Sequence, residues 1–184
     1  MRIITGKFKN REILAPEGLS TRPTSARLRE ALFNICQMYI EDADFLDLFA
    51  GSGAMGIEAI SRGASNSTFV DEDAICVRLI EKNVANLGIQ DQARVCQRDV
   101  FEQLKQMNRQ FDIIYADPPY DREWNGIPYS DEVIRLVVEG KLLKEGGVLF
   151  IEDSSSYQPN LSDISGLILK RSKKFGRSTL HQLQ

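Results

Sequence analysis

A single histidine leaves this chain little room for imidazole chemistry. His181 has no second histidine with which to share a metal and no evident partners for a triad, so it reads as a structural or surface residue. Cysteine is scarce too. Cys36, Cys76 and Cys96 are odd in number, scattered and without CxxC spacing. That argues against a disulfide framework or a zinc site and for reduced thiols in a cytosolic protein. No apolar run reaches the roughly 18 residues of a membrane helix, and the first residues are not signal-like. A soluble cytoplasmic protein with no membrane contact and no metal is therefore expected. Internal repeats, low-complexity tracts and linkers are absent as well.

Charge of one sign is also missing from the total, since the net charge is only −3. Its distribution is less even. Residues 1–29 hold Arg2, Lys7, Lys9, Arg11, Arg22, Arg27 and Arg29 against Glu12 and Glu17, and residues 166–184 hold five basic residues and no acid. Two basic ends around an acidic body make a nucleic-acid footprint if the fold brings them together. The plain alternative is ordinary solvated charge.

A chain of 184 residues with 42% hydrophobic content suits one compact domain with a short extension. Through its centre, strand-like and helix-like stretches alternate. Residues 44–49, 67–71, 94–97, 111–116 and 147–151 are short apolar runs. Between them, 53–62, 73–87, 100–107 and 130–142 read as helices; the second carries Ile75, Cys76, Leu79, Ile80, Val84 and Leu87 at helical spacing. Such alternation predicts an α/β fold with a mostly parallel sheet covered on both faces. After Gly166, runs at 167–171 and 178–183 around "SKKFG" predict an antiparallel hairpin at one sheet edge.

The front is different in kind. "RIITGKFKNREIL" reads as a small basic hairpin. "TRPTSARLREALFNICQMY" reads as a helix reached through Pro23, with Thr24 as N-cap and Leu28, Ala31, Leu32, Ile35 and Tyr39 on one buried face. Residues 1–40 are thus expected as an appendage on a main domain spanning 41–184.

The strongest cofactor signal is "LDLFAGSGAMG". Gly51, Gly53 and Gly56 form a GxGxxG that follows a predicted strand and opens a predicted helix. Glycines there let the backbone approach a ligand, and the helix start offers free N–H groups. Asp71 ends the next strand, where a carboxylate can take ribose hydroxyls. These features suit a dinucleotide, a flavin or S-adenosylmethionine. Two more acids favour the last: Asp47, just before the glycines, could attract a methionine ammonium, and Asp99, after the third strand, could accept from an adenine amino group. A loop acid or a helix N-cap is the plain reading of each.

The fourth strand leaves through "YADPPYD". Two prolines forbid both a helix and further ladder pairing, so the backbone is stiff beside the Asp117 carboxylate and the Tyr120 ring. Parallel strands deliver their C-terminal ends to one crevice, which would put this slot beside the cofactor.

The glycine loop together with D-P-P-Y resembles class I methyltransferases that use S-adenosylmethionine on exocyclic amino groups. More narrowly, "RIITGKFKNREI", "RPTSARLREALFN", "LDLFAGSGAMGIEAISRGA", "DPPY" and "GGVLFIE" resemble the bacterial 16S rRNA guanine-N2 methyltransferase family, RsmD type, collinearly over nearly the whole chain. The chain departs from the family in having Asp71 where Glu is common and in lacking aromatics near Leu180 and Leu183. The resemblance implies a Rossmann-like domain with a seven-stranded sheet and a monomer acting on 16S rRNA, within a small-subunit particle. It also implies cofactor contacts at Thr24, Asp47, Phe49, Ala50, Gly51, Ser52, Gly53, Gly56, Asp71, Glu72, Asp99 and Val100. Asp117, Pro118, Pro119 and Tyr120 would form the catalytic slot. The basic ends and the helix start are expected to flank it, with Arg2, Lys7, Lys9, Arg11 and Arg22 on phosphates and Trp124 either capping the pocket or anchoring its loop. Rival readings are an adenine-N6 methyltransferase, disfavoured because 184 residues hold no second target-recognition domain, and a non-catalytic nucleotide- or RNA-binding module. A NAD-dependent oxidoreductase is weaker, for want of a hydride-transfer acid or base.

Overall fold

The computed structural model describes residues 1–15 and 25–184; Arg22 and Thr24 lie outside the described residues. In chain order the elements are α1 (Ala26–Cys36), β1 (Asp44–Leu48), α2 (Ala54–Ser61), β2 (Asn66–Asp71), α3 (Ala74–Leu87), β3 (Ala93–Gln97) and α4 (Val100–Gln106). They continue with β4 (Phe111–Ala116), the short pair β5 (Glu123–Trp124) and β6 (Ile127–Pro128), α5 (Tyr129–Glu139), β7 (Leu143–Ser154), β8 (Leu169–Phe175) and β9 (Ser178–Leu183). Seven strands form one sheet in the order β3-β2-β1-β4-β7-β9-β8. Five of them are parallel, and β9 is antiparallel to both β7 and β8. The α/β class, the parallel centre and the antiparallel C-terminal hairpin are as the alternation predicted.

The strand order reverses between β1 and β4, so the loops leaving these two neighbours diverge and open a crevice at their C-terminal ends. The hydrophobic centre lies on both sheet faces. On one, Leu28, Leu32 and Phe33 of α1 meet Phe45, Tyr115, Phe150 and Leu180. On the other, Leu46, Ile114 and Leu149 meet α4 and α5 through Phe101, Leu104, Val133 and Val137.

Three details differ from the expectations. Ser25, not Thr24, caps α1, its side chain accepting from the Leu28 N–H at 3.2 Å. The buried face of α1 is Leu28, Arg29, Leu32, Phe33 and Cys36, which leaves Ala31 and Ile35 half-buried on its flank and Tyr39 exposed beyond its C-terminal end; the Phe33 ring covers more of the sheet than an alanine can. Strand β8 runs on through "SKK" to Phe175, and the turn is Gly176–Arg177 alone. A lysine-rich edge strand exposed on both sides shows no period-2 pattern, so its length was hidden.

The N-terminal hairpin pairs at a bridge between Arg2 and Glu12, with the Ile3 N–H donating to the Arg11 carbonyl and the Ile13 N–H to the Met1 carbonyl. Its backbone is tied to α2: the Ile4 and Thr5 N–H groups donate to the two Glu58 carboxylate oxygens, and Lys7 N–H donates to the Ser61 carbonyl. Ile3 and Ile13 pack with Ile57, Phe69 and Ile80. The described part of the first forty residues therefore shares its core with the sheet.

Candidate active site

The site follows from strand register. Leu48 of β1 is level with Val70 of β2 and Ala116 of β4, and Ala116 is level with Ile151 of β7. The next residue on each strand is Phe49, Asp71, Asp117 and Glu152. Pairing alone thus sets three carboxylates and one ring in a row across four strands, at the mouth of the crevice.

Phe49 enters the glycine loop at φ +56°, a left-handed conformation that costs a side-chain-bearing residue about 1–2 kcal/mol. Its ring stacks on Tyr129 and meets Phe101 edge-on, both centroids at 6.1 Å. Gly51 follows at φ +55°, and a Cβ there would point into open space. Gly56 is different: a Cβ would lie 2.3 Å from both the Phe69 ring and Ser67 Oγ, so this glycine lets α2 sit on β2. Gly53 caps α2, and Ala50 and Ser52 complete the loop.

Asp71 reaches back across the crevice. Its Oδ2 accepts from the Gly51 N–H at 2.8 Å and its Oδ1 from the Asp73 N–H at 2.9 Å. Burial pushes this carboxyl above the usual range, against the pull of those two amides. A carboxylate has about four acceptor positions, so two remain for a ligand. Glu72 beside it is exposed. Asp47 is sealed under the loop at 1% exposure, where its Oδ2 accepts from the Gly56 N–H at 2.9 Å. Burial, reinforced by Asp71, pushes its carboxyl up to about 8. In this structure it braces the loop from below, where the sequence suggested an open anionic contact. Asp99 caps α4, accepting from the Glu102 N–H at 2.9 Å through Oδ1, and leaves Oδ2 for other work. Val100, next to it, is buried.

On the slot side, Pro118 is buried, Pro119 exposed, and Asp117 and Tyr120 half-buried. The Tyr120 hydroxyl donates to Glu152 Oε1 at 3.3 Å, and that of Tyr115 donates to Glu152 Oε2 at 2.7 Å. Ser178, at the start of β9, lies against the same Tyr120 hydroxyl. Burial, with Asp117 and Glu152 adding negative charge, raises the phenol well above its ordinary range, so Tyr120 stays neutral. Glu152, 5% exposed, is a candidate site residue that sequence reasoning missed. Its signal was an acid ending a buried strand in "GGVLFIE", a position at the crevice of any parallel sheet.

Trp124 is an anchor. It packs on Phe101 with centroids 4.8 Å apart, and Lys105 Nζ lies 5.6 Å from its ring. The basic ends behave unequally. The C-terminal hairpin turn stands beside Tyr120. The N-terminal hairpin tip does not: Lys7 and Lys9 lie by Ser61 at the C-terminal end of α2, which is the opposite end of the sheet. Arg11 Nη2 donates to the Asn86 carbonyl near the end of α3, also away from the slot. Parallel βα units run each helix back to the strand starts, so a hairpin clamped along α2 is carried away from the crevice. The Arg2 carbonyl accepts from Arg29 Nη2 at 3.0 Å. His181 is fully buried, with Nδ1 2.8 Å from Ser172 Oγ, a structural residue.

A family model described as conserved hypothetical protein 95 matches residues 1–184. The chain belongs to this family. Relatives named Ribosomal RNA small subunit methyltransferase D include one from Escherichia coli K12, 36% identical over 152 residues, covering 83% of this chain and 74% of its own length. Another, from Buchnera aphidicola, is 33% identical over 175 residues, covering 95% and 86%. The solved structure of the Escherichia coli protein yhhF superposes with a TM-score of 0.88 at 33% identity, covering 100% of this chain and 97% of that one. The resemblance read from the motifs is thereby borne out, as is the Rossmann-like methyltransferase fold.

Proposed function

We propose that the protein transfers a methyl group from S-adenosylmethionine to the exocyclic N2 amine of a guanine in 16S rRNA. The observation that carries this reading is the row Phe49, Asp71, Asp117 and Glu152, which sets a glycine loop and an Asp-Pro-Pro-Tyr slot on neighbouring strands at the point where strand order reverses. The names of the family's relatives support methyl transfer to small-subunit ribosomal RNA.

The residues fit the cofactor. The open direction at Gly51 leaves room for a ligand against the loop backbone, Asp71 keeps acceptor positions suited to ribose hydroxyls, and Asp99 Oδ2 suits an adenine amine. When bound, the cofactor supplies an electrophilic methyl on a sulfonium. The chain's own residues must make the amine nucleophilic, because a guanine amino lone pair is delocalised into the ring. The Asp117 carboxylate and the Pro118 carbonyl accept its two N–H bonds, which lets the nitrogen pyramidalise with its lone pair aimed at the methyl. The prolines hold both acceptors in place, so little reorganisation is needed. The Tyr120 ring stacks on the base, worth about 1–3 kcal/mol, while its hydroxyl is pinned by Glu152. The proton then leaves an acidic methylated ammonium for Asp117 or water.

The Asp117 carboxylate, with two acceptor oxygens, favours guanine over adenine, because guanine presents N1–H and N2–H as adjacent donors whereas adenine presents an acceptor at N1. A 16S rRNA substrate supports a reading in which the protein acts in the cytoplasm on an assembling small subunit. The test is transfer of labelled methyl to 16S rRNA and to small subunits from a strain lacking the enzyme, with the modified base mapped. Label on an adenine N6 would refute the guanine assignment, and no label on either substrate would refute the activity.

A further inference from the structure

A cleft of about 490 Å³ lies between α1 and the C-terminal hairpin, lined by Asn34, Ile35 and Tyr39 on one wall and Arg171, Lys173 and Gln182 on the other. No acid is among the described residues lining it. Its hairpin wall is unusual. Every residue of β8 from Leu169 to Lys174 is exposed, and the strand forms the outer edge of the sheet. Among the described residues no carboxylate pairs with Lys170, Arg171, Lys173, Lys174 or Arg177, although seven other ion-pair contacts form. Lys173 Nζ lies 5.3 Å from the Phe175 ring, and the strand that carries the cations is exposed to solvent along its length.

The cleft also has a direction. Arg171, Lys173 and Phe175 share one face of β8, the face on which Phe175 packs with the α1 cluster. Following β8 upward, the register passes from Arg171 opposite Gln182 to Lys173 opposite Leu180 and Phe175 opposite Ser178. Ser178 touches the Tyr120 hydroxyl. On the helix wall, Arg27 stands one turn before Ala31 and two before Asn34, on the same stripe and toward the crevice. The cleft thus lies along β8 below the turn that meets Tyr120, with Arg171 and Lys173 on its hairpin wall and Arg27 beyond its helix wall on the slot side.

We propose that this cleft holds the RNA strand flanking the target guanine, with Arg171, Lys173 and Arg27 contacting successive phosphates. The proposal rests on the activity proposed above and replaces the N-terminal hairpin as the RNA footprint. Its occupant is RNA because the wall is cationic and polar, with side chains spaced about 6.6 Å apart along the strand, similar to the step between phosphates of an extended chain. A base entering the slot must be splayed from its neighbours, and a single strand led along β8 arrives in that form. An apolar protein partner would leave Arg171 and Lys173 desolvated without an acid.

The test compares Arg171→Gln/Lys173→Gln with Lys7→Gln/Lys9→Gln in the full chain. Binding to 16S rRNA is measured across salt concentrations, and methyl transfer to small subunits from a strain lacking the enzyme gives KM and kcat. The cleft variant should lose affinity on the order of tenfold at moderate salt, and its log K against log salt slope should fall by about 1.4 for two phosphate contacts on single-stranded RNA. KM for the particle should rise while kcat and cofactor affinity hold. The Lys7/Lys9 variant should keep the wild-type slope. An unchanged slope and KM in the cleft variant, or the whole loss appearing in the Lys7/Lys9 variant, would overturn the proposal. A wild-type protein that methylates neither substrate would instead overturn the activity, and the salt slopes would still decide where RNA lies.

Discussion

Replacing Gly56 by alanine and Gly51 by alanine should separate the two tasks of the glycine loop. At Gly56 the new Cβ would lie 2.3 Å from the Phe69 ring and 2.3 Å from Ser67 Oγ, and both neighbours are fully buried in β2. Ordinary contact needs more than about 1 Å of extra separation, and no flexible side-chain end is there to give way. Helix α2 must shift from β2, at an overpacking cost of about 3 kcal/mol. Alanine's better helix propensity returns about 1 kcal/mol, leaving a net loss near 2 kcal/mol. For a chain of this length that lowers Tm by roughly 4–8 °C. Gly51→Ala meets no atom within 4 Å. Its only folding cost is a left-handed residue at φ +55°, about 1–2 kcal/mol, but its methyl points into the space where the cofactor would lie. Urea denaturation should therefore rank Gly56→Ala as the less stable protein. Isothermal titration should rank Gly51→Ala as the weaker S-adenosylmethionine binder, by tenfold or more. If Gly51→Ala binds normally, the loop does not hold the cofactor; if Gly56→Ala is as stable as the parent, the close approach of α2 and β2 is not a constraint.

Asp117→Ala should leave S-adenosylmethionine affinity within a few-fold while lowering kcat on the order of 100-fold, as expected when a fixed acceptor is lost; near-normal turnover would sink its role. Asp71→Ala should weaken the cofactor by roughly 1.5–3 kcal/mol, since it removes a ribose acceptor and frees the Gly51 and Asp73 N–H groups it holds. Unchanged affinity by titration would show that Asp71 is structural only. Asp47 makes stability depend on pH. Its folded pKa, about 8, exceeds the unfolded value of about 4, so its contribution is whole below pH about 4 and is lost as pH rises toward 8. Asp47→Asn, which can still accept from Gly56, should flatten the fall in denaturation midpoint between pH 5 and 8. An identical slope in the variant would remove Asp47 as its source.

Local pattern was enough for much of this protein. Alternating apolar runs and helical spacing specify a parallel α/β sheet because each element must bury one face. GxGxxG after a strand and D-P-P-Y after another specify a crevice with a cofactor side and a slot side, because parallel strands end on one rim. Tertiary structure decided what depends on distant partners. Glu152 gained its task only when β7 came level with β4, thirty-seven residues from Tyr115 and thirty-two from Tyr120. Asp47 looked like an open anion and became a buried brace, since register alone sets which strand residues lie beneath the loop. The lysines of "SKKFG" looked like a turn and became an edge strand, because an edge exposed on both faces carries no hydrophobic period. The two basic ends had the same net charge, yet one was led along β8 to the slot and the other along α2 to the far end of the sheet. Charge can be counted along a chain, but the end of a sheet on which it emerges is set by the antiparallel run of strand and helix.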